Sequence, residues 1–170
     1  IKANVSQCVS VRVAQGLDTH ANWAQDQAPA QERGWRALAA LIQDLKNTPS
    51  SEDPARSVLD ETTVLAFSEF GRTPLFNNIQ GRDHFLGNSV LVAGAGLKRN
   101  VTVGQSAEVG MMPIDTDFDT GLGVPDPTPA QRESGRVQIL TPQHVLATLL
   151  ASAKLDYGYL RVEPISALLA

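Results

Sequence analysis

The chain has 170 residues, 42% of them apolar and 19% charged, a globular balance that excludes disordered and fibrous classes. Its net charge of −4, with no basic stripe, argues against a nucleic-acid partner. No apolar run approaches the roughly 20 residues of a membrane span.

A chain of this length falls within one ordinary domain, enough to bury roughly 70% of its unfolded surface. Cys8 is the only cysteine, so no internal disulfide forms. It lies in an apolar run without the electropositive, exposed setting of a reactive thiol, and is expected in the core. The chain opens on Ile1-Lys2-Ala3-Asn4, without Met and almost directly in a strand-like segment. A preceding part of a longer parent protein is therefore expected, and the lack of a visible signal peptide says little about export.

Residues 5–13, with Cys8, Val9, Val11 and Val13, read as a first strand. It runs through Gly16 into Leu17-Asp18-Thr19-His20. Asp18 and His20 point to the same side of an extended backbone. A carboxylate and an imidazole converging there make half of a metal site, or else an Asx turn beside an incidental histidine. Residues 29–46 carry Trp35, Leu38, Leu41, Ile42 and Leu45 at helical spacing, predicting an amphipathic helix laid on a sheet, with Trp35 packed. Trp23 is a candidate cleft residue. A polar, Pro-rich loop follows over residues 47–54.

Residues 62–67 form a nearly continuous apolar and β-branched run, which suits a strand buried on both faces of a parallel sheet. The run ends in Ser68-Glu69-Phe70-Gly71-Arg72-Thr73-Pro74. Ligands of open α/β sheets bind just outside the carboxyl ends of strands, so this charged turn is a candidate site. Gly81-Arg82-Asp83-His84 is a second such turn. His84 is the better ligand there, with Asp83 holding it or a neighbouring group; an Arg82–Asp83 surface pair is the bland alternative. Residues 89–92 read as a further strand, and Ala93-Gly94-Ala95-Gly96 as a tight turn without the dinucleotide fingerprint.

Residues 110–135 read as one long loop without periodicity. Asp115, Asp117 and Asp119 alternate there but do not complete a calcium loop, which leaves a solvated acidic stretch. Thr141 and Pro142 open a last helix as N-cap and first residue. Val145, Leu146, Leu149 and Leu150 are its expected buried face, with His144 exposed beside them.

The Asp18-Thr19-His20, Glu69-Phe70-Gly71-Arg72-Thr73-Pro74 and Gly81-Arg82-Asp83-His84 strings, in this order, resemble the bacterial sulfatase-like family known as domain of unknown function 1501, within the alkaline phosphatase superfamily. The resemblance runs over nearly the whole chain. It implies a three-layer α/β/α fold with a mainly parallel sheet, of which residues 1–170 would be the C-terminal half. It further implies hydrolysis of phosphate or sulfate esters with one or two metals, and a periplasmic or secreted location. By the same resemblance Asp18, His20 and His84 are ligands of one metal, and Glu69 is the carboxylate after the central strand. Phe70 stands where the superfamily usually has histidine, and the nucleophile-bearing half would precede Ile1.

The chemistry can also be argued from the residues. Hydrolysis of an anionic ester needs charge neutralisation and a nucleophile, and a zinc-type ion supplies both. Asp, His and Glu ligands suit Zn, Mn or Fe better than Ca. Asp18, His20, Glu69, Asp83 and His84 are thus the candidate metal residues, and Glu69, Arg72 and Arg82 the candidate catalytic ones. The two guanidiniums are suited to grip phosphate or sulfate oxygens, although Glu69 and Arg72 would also satisfy each other as an ion pair. The expected partner is a small anionic ester. The alternative function is a non-catalytic extracytoplasmic binding or scaffold domain with a degenerate metal site.

Overall fold

The structure, a computed structural model, describes residues 2 and 6–170. The chain divides into two units: residues 1–62 with 68–88, and residues 63–67 with 89–170. Valine 5 of the expected first strand lies outside the described residues.

In the first unit, residues 8–18 belong to no helix or strand. Val9, Val11 and Cys8 are exposed rather than buried. The expected strand over 9–13 does not form, because no other segment offers its main chain a ladder among the described residues. Helix α1, Trp23–Asn47, follows. It starts six residues before the expected boundary at Pro29. Pro29 therefore lies inside the helix, in its second turn, where it leaves the carbonyl of residue 25 without its usual i→i−4 bond.

The buried stripe of α1 is Gln27, Ala30, Gly34, Leu38 and Leu45. Trp35 lies one position off that stripe and is 55% exposed, and Leu41 is also exposed. Small residues take the inward face because another chain segment crosses close by. A Cβ at Gly34 would stand 3.0 Å from Ala14 Cβ and 3.2 Å from the Val13 carbonyl. A 3₁₀ turn over Val58–Glu61, closed by the reciprocal Ser57–Asp60 capping box, packs against α1. Two short strands complete the unit. Here β2, Gly71–Arg72, pairs antiparallel with β3, His84–Phe85, with Arg72 opposite His84.

The second unit holds β1, Thr63–Ala66, antiparallel to β4, Leu91–Gly94. Gly94 and Gly96 have positive φ, and Leu97 N–H reaches the Gly94 carbonyl at 3.3 Å, the turn expected there. A three-stranded antiparallel sheet has the order β6-β5-β7, from β5 (Asp115–Asp117), β6 (Gly123–Val124) and β7 (Val137–Gln138). Helix α2 spans Pro129–Glu133 and α3 spans Pro142–Ser152. The stretch 110–135, read as a loop, therefore contains two strands and a helix. Its acids are built in: Asp115 is 7% exposed and paired with Arg132 at 2.8 Å. Asp117 Oδ1 accepts from the N–H groups of Asp119 and Thr120, and Asp119 meets Ser166 and Arg136.

The core of this unit gathers Leu97, Phe118, Val137, Ala147, Ile165 and Ala167. His144, expected at the surface, is buried on α3 with Ala147 and Thr148, while Leu146 is 43% exposed. His144 Nδ1 accepts the Thr141 N–H at 3.0 Å, so the imidazole closes the helix cap.

The expectation of a three-layer α/β/α fold with a mainly parallel, alkaline-phosphatase-like sheet is thus overturned. Among the described residues every strand pair is antiparallel, and the sheets have two or three short strands alongside three α-helices. The run at 63–66 does form a strand, but among the described residues it pairs only with β4 and Leu65 is 38% exposed. Short apolar runs fix strand type poorly, because burial on both faces requires neighbours that the sequence does not name.

Candidate metal centre

The site is assembled in the first unit from two segments held together by their main chains. Trp23 N–H donates to Gln80 O at 2.8 Å, Asn22 N–H to Ile79 O at 3.3 Å, and Arg82 N–H to Thr19 O at 3.2 Å. These bonds lay 19–23 alongside 79–82. Gly81 sits where the segments touch: an added Cβ would lie 2.0 Å from the His20 carbonyl carbon and oxygen. Asn77 clamps the same junction. Its Nδ2 donates to His20 O at 2.8 Å, and its Oδ1 accepts from the N–H groups of Ile79 and Gly81. Thr19 points inward between Asp18 and His20, bonding Gln27 of α1 at 2.7 Å, so its two neighbours in sequence face outward together.

The outcome is a cluster in which Asp18, His20 and His84 each offer one ligand atom, all within 4.8 Å of one another. Asp18 Oδ1 lies 3.1 Å from His20 Nε2 and 3.6 Å from His84 Nε2. The imidazole rings of His20 and His84 stand 4.9 Å apart between centroids, and Phe70 packs on His84 at 4.0 Å. A tetrahedral zinc site with bonds of about 2.05 Å has ligand–ligand edges of about 3.4 Å. The two edges from Asp18, 3.1 and 3.6 Å, bracket that value, and the third lies within 4.8 Å.

Asp83 is held on the far side of His20. Its Oδ1 lies 2.6 Å from His20 Nδ1, and Asn77 Nδ2 approaches both of its oxygens. An ionised carboxylate only accepts, so Nδ1 donates to Asp83, and Nε2 is left facing Asp18, where the neutral imidazole would offer its lone pair to a cation. This is the carboxylate–histidine arrangement that orients metal-bound imidazoles. The His20 hydrogen bond, then Asn77, holds the Asp83 carboxyl below the usual range. Asp18 is held low as well, chiefly by its hydrogen bond from Arg72.

Arg72 is the fixed cation of the site, its side chain 11% exposed. Nη2 donates to Asp18 Oδ1 at 2.8 Å and to Leu17 O at 3.0 Å. Nη1 donates to Arg82 O at 3.1 Å and lies 3.5 Å from His20 Nε2. Arg72 therefore pairs with Asp18, not with Glu69. Arg82 is engaged elsewhere, on the Thr73 and Pro74 carbonyls, with its guanidinium against the rings of Trp23 and Phe76. Trp23, the cleft candidate, is one of those rings. Glu69 is exposed in the turn after β1 and is not one of the clustered ligands. The structure thus brings together Asp18, His20, His84, Asp83 and Arg72; Glu69 and Arg82 stand outside the ligand set. Asn77 and Gly81 escaped the sequence reading as site residues. The Asn77–Gly81 spacing, an Asx-type turn ahead of a glycine, was their only local signal.

Two histidines and an aspartate with a second carboxylate behind one imidazole define a candidate metal-binding domain. Residues 4–121 match the model of the family described as "Protein of unknown function (DUF1501)", and the chain belongs to that family. No curated protein and no solved structure matches the chain.

Proposed function

We propose that Asp18, His20 and His84 bind one divalent metal ion, zinc by ligand type with Mn or Fe as substitutes. On this reading the protein is part of a metal-dependent hydrolase of small phosphate or sulfate esters. The observation that carries it is the convergence of three ligand-type atoms from two segments: Asp18, His20 and His84 each offer one, all within 4.8 Å of one another. With Asp83 on Nδ1, His20 turns its Nε2 to Asp18 Oδ1 at 3.1 Å, the nitrogen that a shared cation would take in its neutral form.

Three protein ligands leave a fourth zinc position open, the mark of catalytic rather than structural sites. A metal held there would supply a bound water of pKa about 7 and a Lewis acid for an ester oxygen. Arg72 would hold Asp18 ionised and aligned for the metal, and Asp83 would fix the His20 tautomer. The resemblance of the three motifs to sulfatase-like proteins is what suggests ester hydrolysis and a periplasmic or secreted location.

One observation favours a second reading, a non-catalytic binding or scaffold domain. Arg72 already contacts Asp18 and approaches His20 Nε2, so it partly neutralises the cluster without an ion. Elemental analysis of protein purified without chelator, followed by assay of aryl phosphates and aryl sulfates with zinc restored, separates the two. Metal near one equivalent, lost in His84→Ala together with turnover, supports the hydrolase. Less than a tenth of an equivalent after zinc dialysis overturns it.

A further inference from the structure

The first unit also contains a cavity of about 410 Å³, lined by Arg12, Val13, Ala14 and Gln15 of the segment before α1 and by Ala30 and Arg33 of α1. The segment and the helix meet at Gly34, where Ala14 and the Val13 carbonyl approach within about 3 Å of an added Cβ. Arg12 and Arg33 are the sequence neighbours of those contact points, which is why both reach one cavity.

Elsewhere in this unit Arg36, Arg56 and Arg72 each face a carboxylate. Arg12 and Arg33 form no ion pair or hydrogen bond among the described residues, and no carboxylate lines the cavity. This is notable in a chain with 18 acids against 14 bases. The main chain of 9–15 likewise makes no backbone hydrogen bond among the described residues, so both its N–H and its C=O groups stay open beside the two guanidiniums.

We propose that this cavity binds the phosphate or sulfate group of a small organic ester, or the corresponding free ion. Two planar guanidinium forks with no carboxylate facing them are suited to an oxyanion with several exposed oxygens. The volume falls within the roughly 300–1,000 Å³ of small-ligand sites, larger than a bare phosphate needs. The proposal does not rest on the metal reading, because none of the six lining residues belongs to the Asp18 cluster.

The test is calorimetric titration of the whole chain in the presence of EDTA, with inorganic phosphate, glycerol 3-phosphate and acetate as probes. Arg12→Gln and Arg33→Gln are the variants; both side chains are exposed, and glutamine sustains a helix about as well as arginine. Saturable phosphate binding, weakened at least tenfold in each variant with unchanged circular dichroism, supports the site. Tighter binding of glycerol 3-phosphate than of phosphate identifies the ester as the ligand; equal binding identifies the free ion. Absence of saturable phosphate or ester binding by the unaltered chain, equal affinity for acetate, or unchanged affinity in both variants overturns it.

Discussion

Gly81→Ala isolates the geometry on which the metal reading depends. The added Cβ would meet the His20 carbonyl carbon and oxygen at 2.0 Å and the Ala21 nitrogen at 2.3 Å. All three are backbone atoms, so no side-chain rotation relieves the contact. Ordinary contact begins near 3.4 Å, so the 19–21 and 79–84 segments must separate by about 1.4 Å. His20 rides on one segment and His84 on the other, whereas metal–ligand bonds tolerate only about ±0.2 Å. Zinc affinity, measured by competition with a chromophoric chelator, should fall more than a hundredfold. The change adds no charge and removes no ligand, and α1 and α3 should survive it, as far-UV circular dichroism can verify. A folded Gly81→Ala protein with zinc affinity within threefold of the unaltered chain would refute the argument that this contact sets the ligand spacing.

Three further outcomes follow from named contacts. Asp83→Asn keeps a hydrogen-bond acceptor beside His20 but loses the charge; zinc affinity should drop about 10- to 100-fold with little change in melting temperature. Thr148→Val removes the acceptor of the buried Ile165 N–H, bonded at 2.8 Å, and should cost about 1–3 kcal/mol, read in urea unfolding, with no effect on zinc. His144 is buried and burial lowers its pKa below 6.5. The unfolded chain therefore takes up the proton first, so stability is full above about pH 6.5 and declines as pH falls below it. Melting curves from pH 8 to pH 5 should show that decline in the unaltered protein and a flatter profile in His144→Gln.

The candidate site was legible in the sequence because its signals are local. Asp18 and His20, two apart in extended chain, share a side, and Thr19 between them turns inward to Gln27. His84 was legible from its polar turn, though not its support by β2, which depends on pairing Arg72 with His84. The fold was less legible. Residues 9–13 have the composition of a buried strand but no strand partner among the described residues. The 63–66 run found one antiparallel neighbour where burial on two faces had been expected. On α1, periodicity located the helix, but the crossing at Gly34 decided which face turned inward and left Trp35 outside. Each of these outcomes is set by a contact between segments distant in sequence.

Charge distinguishes the two functional readings further. Asp18 and Asp83 are both held ionised by their partners, and Arg72 supplies one positive charge. Counted with both imidazoles neutral, the form that ligation requires, these five groups carry about −1 before the charge of an ion is added. A dication brings the sum to about +1. An anionic ester is therefore repelled by the bare cluster and attracted by the loaded one, with the ion itself the largest local charge. Phosphate binding at the cluster should accordingly appear only with zinc present and vanish in His84→Ala, whereas binding at the Arg12–Arg33 cavity should persist in EDTA. Phosphorus NMR titrations of Arg33→Gln protein, with and without zinc, read the cluster alone. Equal phosphate binding in both conditions would mean that Arg72, rather than a metal, is the cation of this site, and the scaffold reading would then hold.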